Sequence, residues 1–270
     1  MNTVWRRVRP VILVAITLSS VAACRRGFQP RDFANPEALF RGALQEYRQG
    51  KWSNAVAGFE RLTLDLSSRD SLLVPTYYYL AMAHEERDEF LLAAQAYQRL
   101  SDGFPADSLA PRAILGEGRS YQQLWRKPVL DAEYGLKALG TLRVLLTAFP
   151  DGPEAVDATQ RIATLEDWLA RKDYEVGMHY LRTRKAYDPA LIYFQDVIET
   201  YPNTPTARKA RLAMVQAYRK LKYAEEAKET CDELQTRYPG DAEVLELCGP
   251  PTVAPRDTTV VAPPGTPPPR

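Results

Sequence analysis

Four alanines in this chain are each followed twelve residues later by a proline, and an aromatic residue stands directly before each proline. They are Ala93 with Phe104-Pro105, Ala138 with Phe149-Pro150, Ala190 with Tyr201-Pro202 and Ala227 with Tyr238-Pro239. Three of the alanines have a further aromatic shortly before them: Phe90, Tyr187 and Tyr223. An earlier copy reads Gly50-Lys51-Trp52 to Ala55 and Phe59, with Ser67 where the proline would stand. The pattern has a packing logic. A small alanine lets two antiparallel helices approach closely. The aromatic opens the second helix and fills the gap beside the first. The proline can neither donate to the helical ladder nor continue it, so it stops the second helix. A helix-turn-helix unit recurring at about 34 residues is the tetratricopeptide pattern.

Five copies are expected, over residues 36–67, 74–105, 111–150, 174–202 and 207–239. The expected fold class is therefore all-α, a tetratricopeptide-repeat superhelix of about five helix-turn-helix units, each packing on its neighbours. Trp52, Phe59, Phe90, Tyr97, Phe194 and Tyr223 fall at helical spacing and read as core. The spacing between successive prolines is uneven, so the third copy carries an insert around Leu124-Trp125-Arg126-Lys127-Pro128. Glu154 to Lys185 contains no proline and places Ile162, Leu165, Trp168 and Leu169 on one helical face. It is expected to be a long helix joining copies three and four, with a break near Asp173.

Both ends lie outside the repeats. Arg6, Arg7 and Arg9 precede an apolar run from Pro10 to Leu18, and then come Ala22-Ala23-Cys24. A basic start, a short apolar run and small residues before a cut make a secretory signal. The run is too short to span a bilayer, which takes about 20 residues. Cysteine directly after the small pair is the lipobox of a bacterial lipoprotein. On that reading Cys24 is the lipid attachment site and carries acyl chains such as palmitate. One chain binds a membrane only marginally, while two or more hold firmly. The expected organisation is a signal peptide over 1–23, a lipidated tether over 24–35, repeats one to three over 36–150, a linking helix with repeats four and five over 151–248, and a tail over 249–270. The tail has eight prolines and no aromatic residue, and reads as a disordered, polyproline-like arm.

Composition and chemistry narrow the function. Cutting before Cys24 removes three arginines and no acids, leaving 32 basic against 34 acidic residues, a net of −2. That balance argues against a nucleic-acid binder, which is usually basic. The chain has two histidines, His84 and His179. Neither sits in a nucleophile motif, no second histidine follows His84 at metalloprotease spacing, no cysteine cluster has zinc spacing, and no glycine-rich phosphate loop is present. Glu85, Glu86, Asp88 and Glu89 read as a solvated helix end. No enzyme activity, cofactor or metal is expected. Cys231 and Cys248 stand 17 residues apart. Two readings are open for them: a disulfide, whose loop closure is worth roughly 3 kcal/mol, or two separate small apolar residues.

What remains is binding. In this repeat class the first helix of each pair lines the concave face. Counting from the aromatic–alanine pattern puts Tyr77, His84 and Arg87 there in copy two, and Arg112, Arg119 and Gln122 in copy three. Arginines with a tyrosine suit an extended peptide, or a chain end with a carboxylate and aromatic side chains, because guanidinium pairs with carboxylates and stacks on rings.

The stretch Leu165-Glu166-Asp167-Trp168-Leu169-Ala170-Arg171-Lys172-Asp173-Tyr174-Glu175-Val176-Gly177-Met178-His179-Tyr180-Leu181-Arg182-Thr183-Arg184-Lys185-Ala186-Tyr187 resembles the outer-membrane protein assembly factor BamD family. Tyr201-Pro202-Asn203-Thr204, Ala217-Tyr218-Arg219-Lys220-Leu221 and the insert in copy three are similar to it as well. The resemblance implies a lipoprotein scaffold on the periplasmic face of the outer membrane. It implies C-terminal repeats that bind the periplasmic domains of a β-barrel insertase together with accessory lipoproteins. It implies N-terminal repeats that receive the C-terminal signal of unfolded outer-membrane protein precursors. Arg25 rather than aspartate follows the cysteine, which by the sorting rule of enteric bacteria implies the outer membrane. Arg184, Tyr187 and Tyr193 are the partner-binding positions the resemblance implies. Lys185 stands where the family has glycine, and Tyr193 falls where it has an arginine associated with the insertase. The alternative reading is another periplasmic tetratricopeptide lipoprotein, organising cell division or peptidoglycan synthesis. Such proteins usually carry about three repeats after a coiled-coil region, and no heptad segment precedes residue 36 here.

Overall fold

The computed structural model describes residues 27–128 and 130–250. Cys24, the signal sequence and the tail from Pro251 onward lie outside the described residues. The described chain is helical, with eleven α-helices after a short 3-10 turn at Pro30–Asp32. They are α1 (Pro36–Arg48), α2 (Trp52–Asp65), α3 (Leu73–Glu85), α4 (Phe90–Gly103), α5 (Ala110–Leu124) and α6 (Glu133–Ala148). Then come α7 (Glu154–His179), α8 (Tyr187–Thr200), α9 (Pro205–Leu221), α10 (Ala224–Arg237) and α11 (Ala242–Cys248).

The chain divides into two units. The first comprises residues up to Arg126 with Asp131–Ile162, and the second Lys127–Leu130 with the residues from Ala163 onward. The division falls inside α7. In the first unit α1 to α6 pack consecutively, each on the next; in the second α8 to α11 do the same.

The small alanines do what the spacing predicts. Ala55, Ala93, Ala138 and Ala190 are fully buried, and Ala227 nearly so. The aromatic–proline stop is equally regular. Phe104, Phe149, Tyr201 and Tyr238 each cap a helix at φ between −137° and −128° with ψ between 53° and 64°. A residue before proline is disfavoured in the helical region by the proline ring, so each helix ends one residue earlier. The first copy lacks the proline, and Leu66 caps α2 in an ordinary extended conformation instead.

The turn between the two helices of a pair has its own signature. Gly50, Asp88, Lys185 and Lys222 all have positive φ, and each stands five residues before its copy's buried alanine. Lys185 at φ 53° closes the turn after α7, where its amide donates to Tyr180 O. Left-handed backbone is costly for a residue with a Cβ, by about 1 kcal/mol.

Two expectations are corrected, and a third gains detail. Phe59, Tyr97 and Phe194 are buried core, but Tyr223 is 45% exposed. Phe90 and Tyr187 stand three residues before their alanine, in the first turn of the helix. Tyr223 stands four before Ala227, at the N-cap of α10, and so turns outward. The long helix does not break at Asp173. It runs to His179 and then widens into a π-turn at Tyr180–Arg184 before Lys185 ends it. Continuity past Asp173 brings Gly177 against the Phe194 ring, where a Cβ would lie 2.7 Å from Cε1. Finally, the insert in copy three is anchored. Trp125 is 1% exposed, and its ring packs so closely on Gly135 that a side chain there would collide with it.

The disulfide is formed: Cys231 and Cys248 Sγ atoms stand 2.00 Å apart, with Cα atoms 5.5 Å apart. It ties the seven-residue α11 to α10 over a small core of Leu212, Val215, Leu234 and Val244.

Candidate binding faces

The first helices of the first unit carry a polar network. It centres on Glu85, at the end of α3. Arg119 on α5 donates Nε to Glu85 Oε1 at 3.1 Å and Nη2 to Oε2 at 2.6 Å. Tyr97 Oη donates to Glu85 Oε2 at 3.0 Å and Ser120 Oγ to Oε1 at 3.2 Å. The Glu85 side chain is 15% exposed and that of Arg119 40%. Further along, Arg112 Nε reaches Glu154 Oε1 at 3.3 Å, and Arg161 Nη1 donates to Gln122 Oε1 at 2.9 Å. The helical spacing of Arg112, Arg119 and Gln122 puts all three on one side of α5, facing partners on α3 and α7.

Electrostatics follow from this wiring. Burial opposes the Arg119 charge, but the Glu85 hydrogen bonds and charge more than offset it and raise its pKa. Burial, with the nearby Glu85 charge, pushes the Tyr97 hydroxyl far above the ordinary phenol range. Glu85 was expected on a solvated helix end. It is the hub of the network instead, and the spacing of Tyr97, Arg119 and Ser120 against it cannot be read without knowing which helices touch.

The remaining groove candidates do not join this network. His84 is buried, at 4% exposure, and its Nδ1 lies 2.8 Å from Glu89 Oε2. Arg87 is exposed and pairs with the other Glu89 oxygen at 2.8 Å. The His84 hydrogen bond first, then the Arg87 charge, hold the Glu89 carboxyl below its usual range. His84 therefore helps close the turn at Asp88 and is unavailable to a ligand. Tyr77 lines a separate cavity of about 560 Å³ with Gln95, Gln98 and Arg99 of α4.

The second unit presents a different face. Tyr180 and Tyr193 stack with ring centroids 5.6 Å apart at 14°. Arg184 is exposed in the π-turn beside Lys185, and Tyr187 is half-buried against the core that holds Phe194 and Ala190. Ile192, next to Tyr193, is 63% exposed. Burial of Tyr174 under this region raises its hydroxyl pKa. The structure thus places Tyr193 against the π-turn rather than alone on a helix surface.

Among the described residues no group of three His, Cys, Asp or Glu side chains is placed to hold a metal ion, and no helix is long and apolar enough to cross a membrane. Stacked helix pairs with buried alanines and proline stops define a helical-repeat protein of the tetratricopeptide kind. A family model described as YfiO, outer membrane lipoprotein, matches residues 33–234, and the chain belongs to that family. It is 26% identical over 247 residues to the outer membrane protein assembly factor BamD of Neisseria meningitidis serogroup A, covering 85% of this chain and 91% of that one. It is 26% identical over 243 residues to the BamD of Caulobacter vibrioides, covering 86% and 78%. Among solved structures, the tetratricopeptide domain of P58(IPK) is similar at 15% identity and a TM-score of 0.42, over 79% of this chain and 54% of that one.

Proposed function

We propose that the chain is a non-catalytic, lipid-anchored subunit of the machinery that assembles β-barrel proteins in the outer membrane, working from the periplasmic face. The observation that carries this reading is family membership over residues 33–234, with relatives named as outer membrane protein assembly factors across most of their length. The second unit would hold the periplasmic domains of the barrel insertase through Arg184, Tyr187 and the stacked Tyr180–Tyr193 pair. Accessory lipoproteins would join the same assembly. The first unit would receive unfolded outer-membrane protein precursors on the face that carries Arg112, Arg119 and Gln122. A carboxylate at the end of a precursor would compete with Glu85 and Glu154 for guanidinium groups already held in place, so little side-chain entropy is lost on binding. Cys24 would carry the lipid; Cys24→Ser should then release the chain from membranes. Depletion tests the whole reading. Barrel proteins should fall in the outer membrane and accumulate unfolded in the periplasm. Normal barrel levels after depletion would contradict it.

A further inference from the structure

A cavity of about 370 Å³ lies between α4, α5 and α6, and every residue that lines it belongs to the first unit. Helical spacing gives it one face of each helix. Gln98 and Asp102 come from α4, Ile114 and Glu117 from α5, and Thr141 and Val144 from α6, with Phe149 at the cap of α6. Two acids line the cavity and no base does. Asp102 is exposed, but Glu117 is 7% exposed. Among the described residues Glu117 has one hydrogen bond, a long one of 3.4 Å from Thr141 Oγ1 to its Oε1. Neither acid forms an ion pair among the described residues, and the charge that acts on Glu117 is that of another acid, Asp102. Burial first, then the Asp102 charge, push its carboxyl up to about 7. A buried carboxylate without a cation is a costly arrangement. In the wall of a cavity, that cost is relieved by a cation supplied from outside.

The rest of the lining selects the cation. Ile114 and Val144 offer apolar surface along which a long aliphatic stem can lie. Phe149 is half-buried and offers part of a ring. A guanidinium stacks on rings and has five donors in a planar fork, enough for two carboxylates; an ammonium is a compact point charge with three donors. Val144 is 58% exposed, so the cavity opens outward and a side chain carried on another protein's surface can enter it.

We propose that this cavity is a docking socket for an arginine side chain of a partner protein, with Glu117 and Asp102 as its counter-charges and Phe149 as its stacking surface. The socket stands apart from the face of α5 that carries Arg112 and Arg119, and it has the opposite charge preference. The first arm of the test titrates the full-length chain, with labelled isoleucine and valine methyl groups, with N-acetylarginine methylamide at pH 8. The Ile114 and Val144 methyl resonances should shift saturably, and the uncharged citrulline analogue should leave them in place. Glu117→Gln conserves volume and Asp102→Asn alters an exposed residue, so both variants should keep the fold. Each should weaken binding at least fivefold. The second arm replaces Val144 with photo-reactive benzoylphenylalanine in cells. Irradiation should give crosslinks to arginine-containing peptides of another protein, and Glu117→Gln should cut their yield at least fivefold. Methyl groups that ignore the arginine probe or respond equally to citrulline would overturn the proposal. So would crosslinks that reach no other protein, that lack a nearby arginine or that survive Glu117→Gln.

Discussion

The two units solve the same packing problem and present opposite kinds of surface. In the first, the arginines of α5 are spoken for: Arg119 by Glu85, Arg112 by Glu154. In the second, a half-buried stacked tyrosine pair lies beside the exposed Arg184 in a π-turn, with no ion pair across them among the described residues. A pre-wired polar face suits exchange, because a ligand carboxylate replaces a carboxylate already there. A rigid aromatic face suits lasting attachment, because large side chains bury area at low entropic cost. The contrast fits a scaffold that holds one partner and passes others on.

The largest expected effect comes from removing the hub of the first face. Glu85→Ala leaves Arg119, Tyr97 and Ser120 without their shared acceptor. It should cost about 3 kcal/mol, since a broken, partly buried ion pair leaves its partner unsatisfied. Thermal denaturation would register this as a clear fall in Tm. An unchanged Tm would mean that the network is ornamental and that the two faces differ less than their geometry suggests.

Glu117 should give a smaller effect with a definite sign. Its folded pKa, raised by burial to about 7, lies above the ordinary glutamate value of 4.5. Between those values the folded chain binds the proton more tightly than the unfolded one, so this group's contribution falls as pH rises from about 4.5 to 7. Glu117→Gln should remove that slope and leave the variant more stable than the parent at pH 8, by about 2 kcal/mol. Denaturant titrations at pH 5 and pH 8 check it. A parent and variant with the same pH slope would place the Glu117 carboxyl in open solvent.

The smallest effect concerns the turn that shapes the second face. Lys185→Gly should stabilise the chain by about 1 kcal/mol, because it relieves a positive φ of 53°. Lys185→Val should do the reverse. If both substitutions were neutral, the π-turn would not depend on its left-handed cap.

These tests bear on how far the sequence could be read. The alanine–proline spacing located the helix pairs because it records a backbone constraint: a close approach and a stop, both local. The left-handed turn was equally local, yet it is filled by Gly50, Asp88, Lys185 and Lys222, residue types with nothing else in common. Only the five-residue distance to the alanine betrays it. The binding faces were half legible. Arg112, Arg119 and Gln122 share one face of α5, as helical periodicity requires. For Tyr77 and His84, periodicity names a face of a helix without saying what covers it. His84 is covered by its own turn, and Tyr77 faces the side of α4. Trp125 shows the same limit. It looks like an insert residue, and its burial depends on Gly135 giving it room in a later helix.

The most direct test of the division of labour is quantitative purification of the tagged, lipidated chain from detergent-extracted envelopes, with and without Tyr193→Ala and Arg184→Glu. A β-barrel protein with repeated periplasmic domains should co-purify at near-equal amount, be lost with the two substitutions, and persist when Arg112 and Arg119 are changed instead. Recovery of cell-division or peptidoglycan proteins without that barrel, or a barrel unaffected by the second-unit changes, would contradict the account.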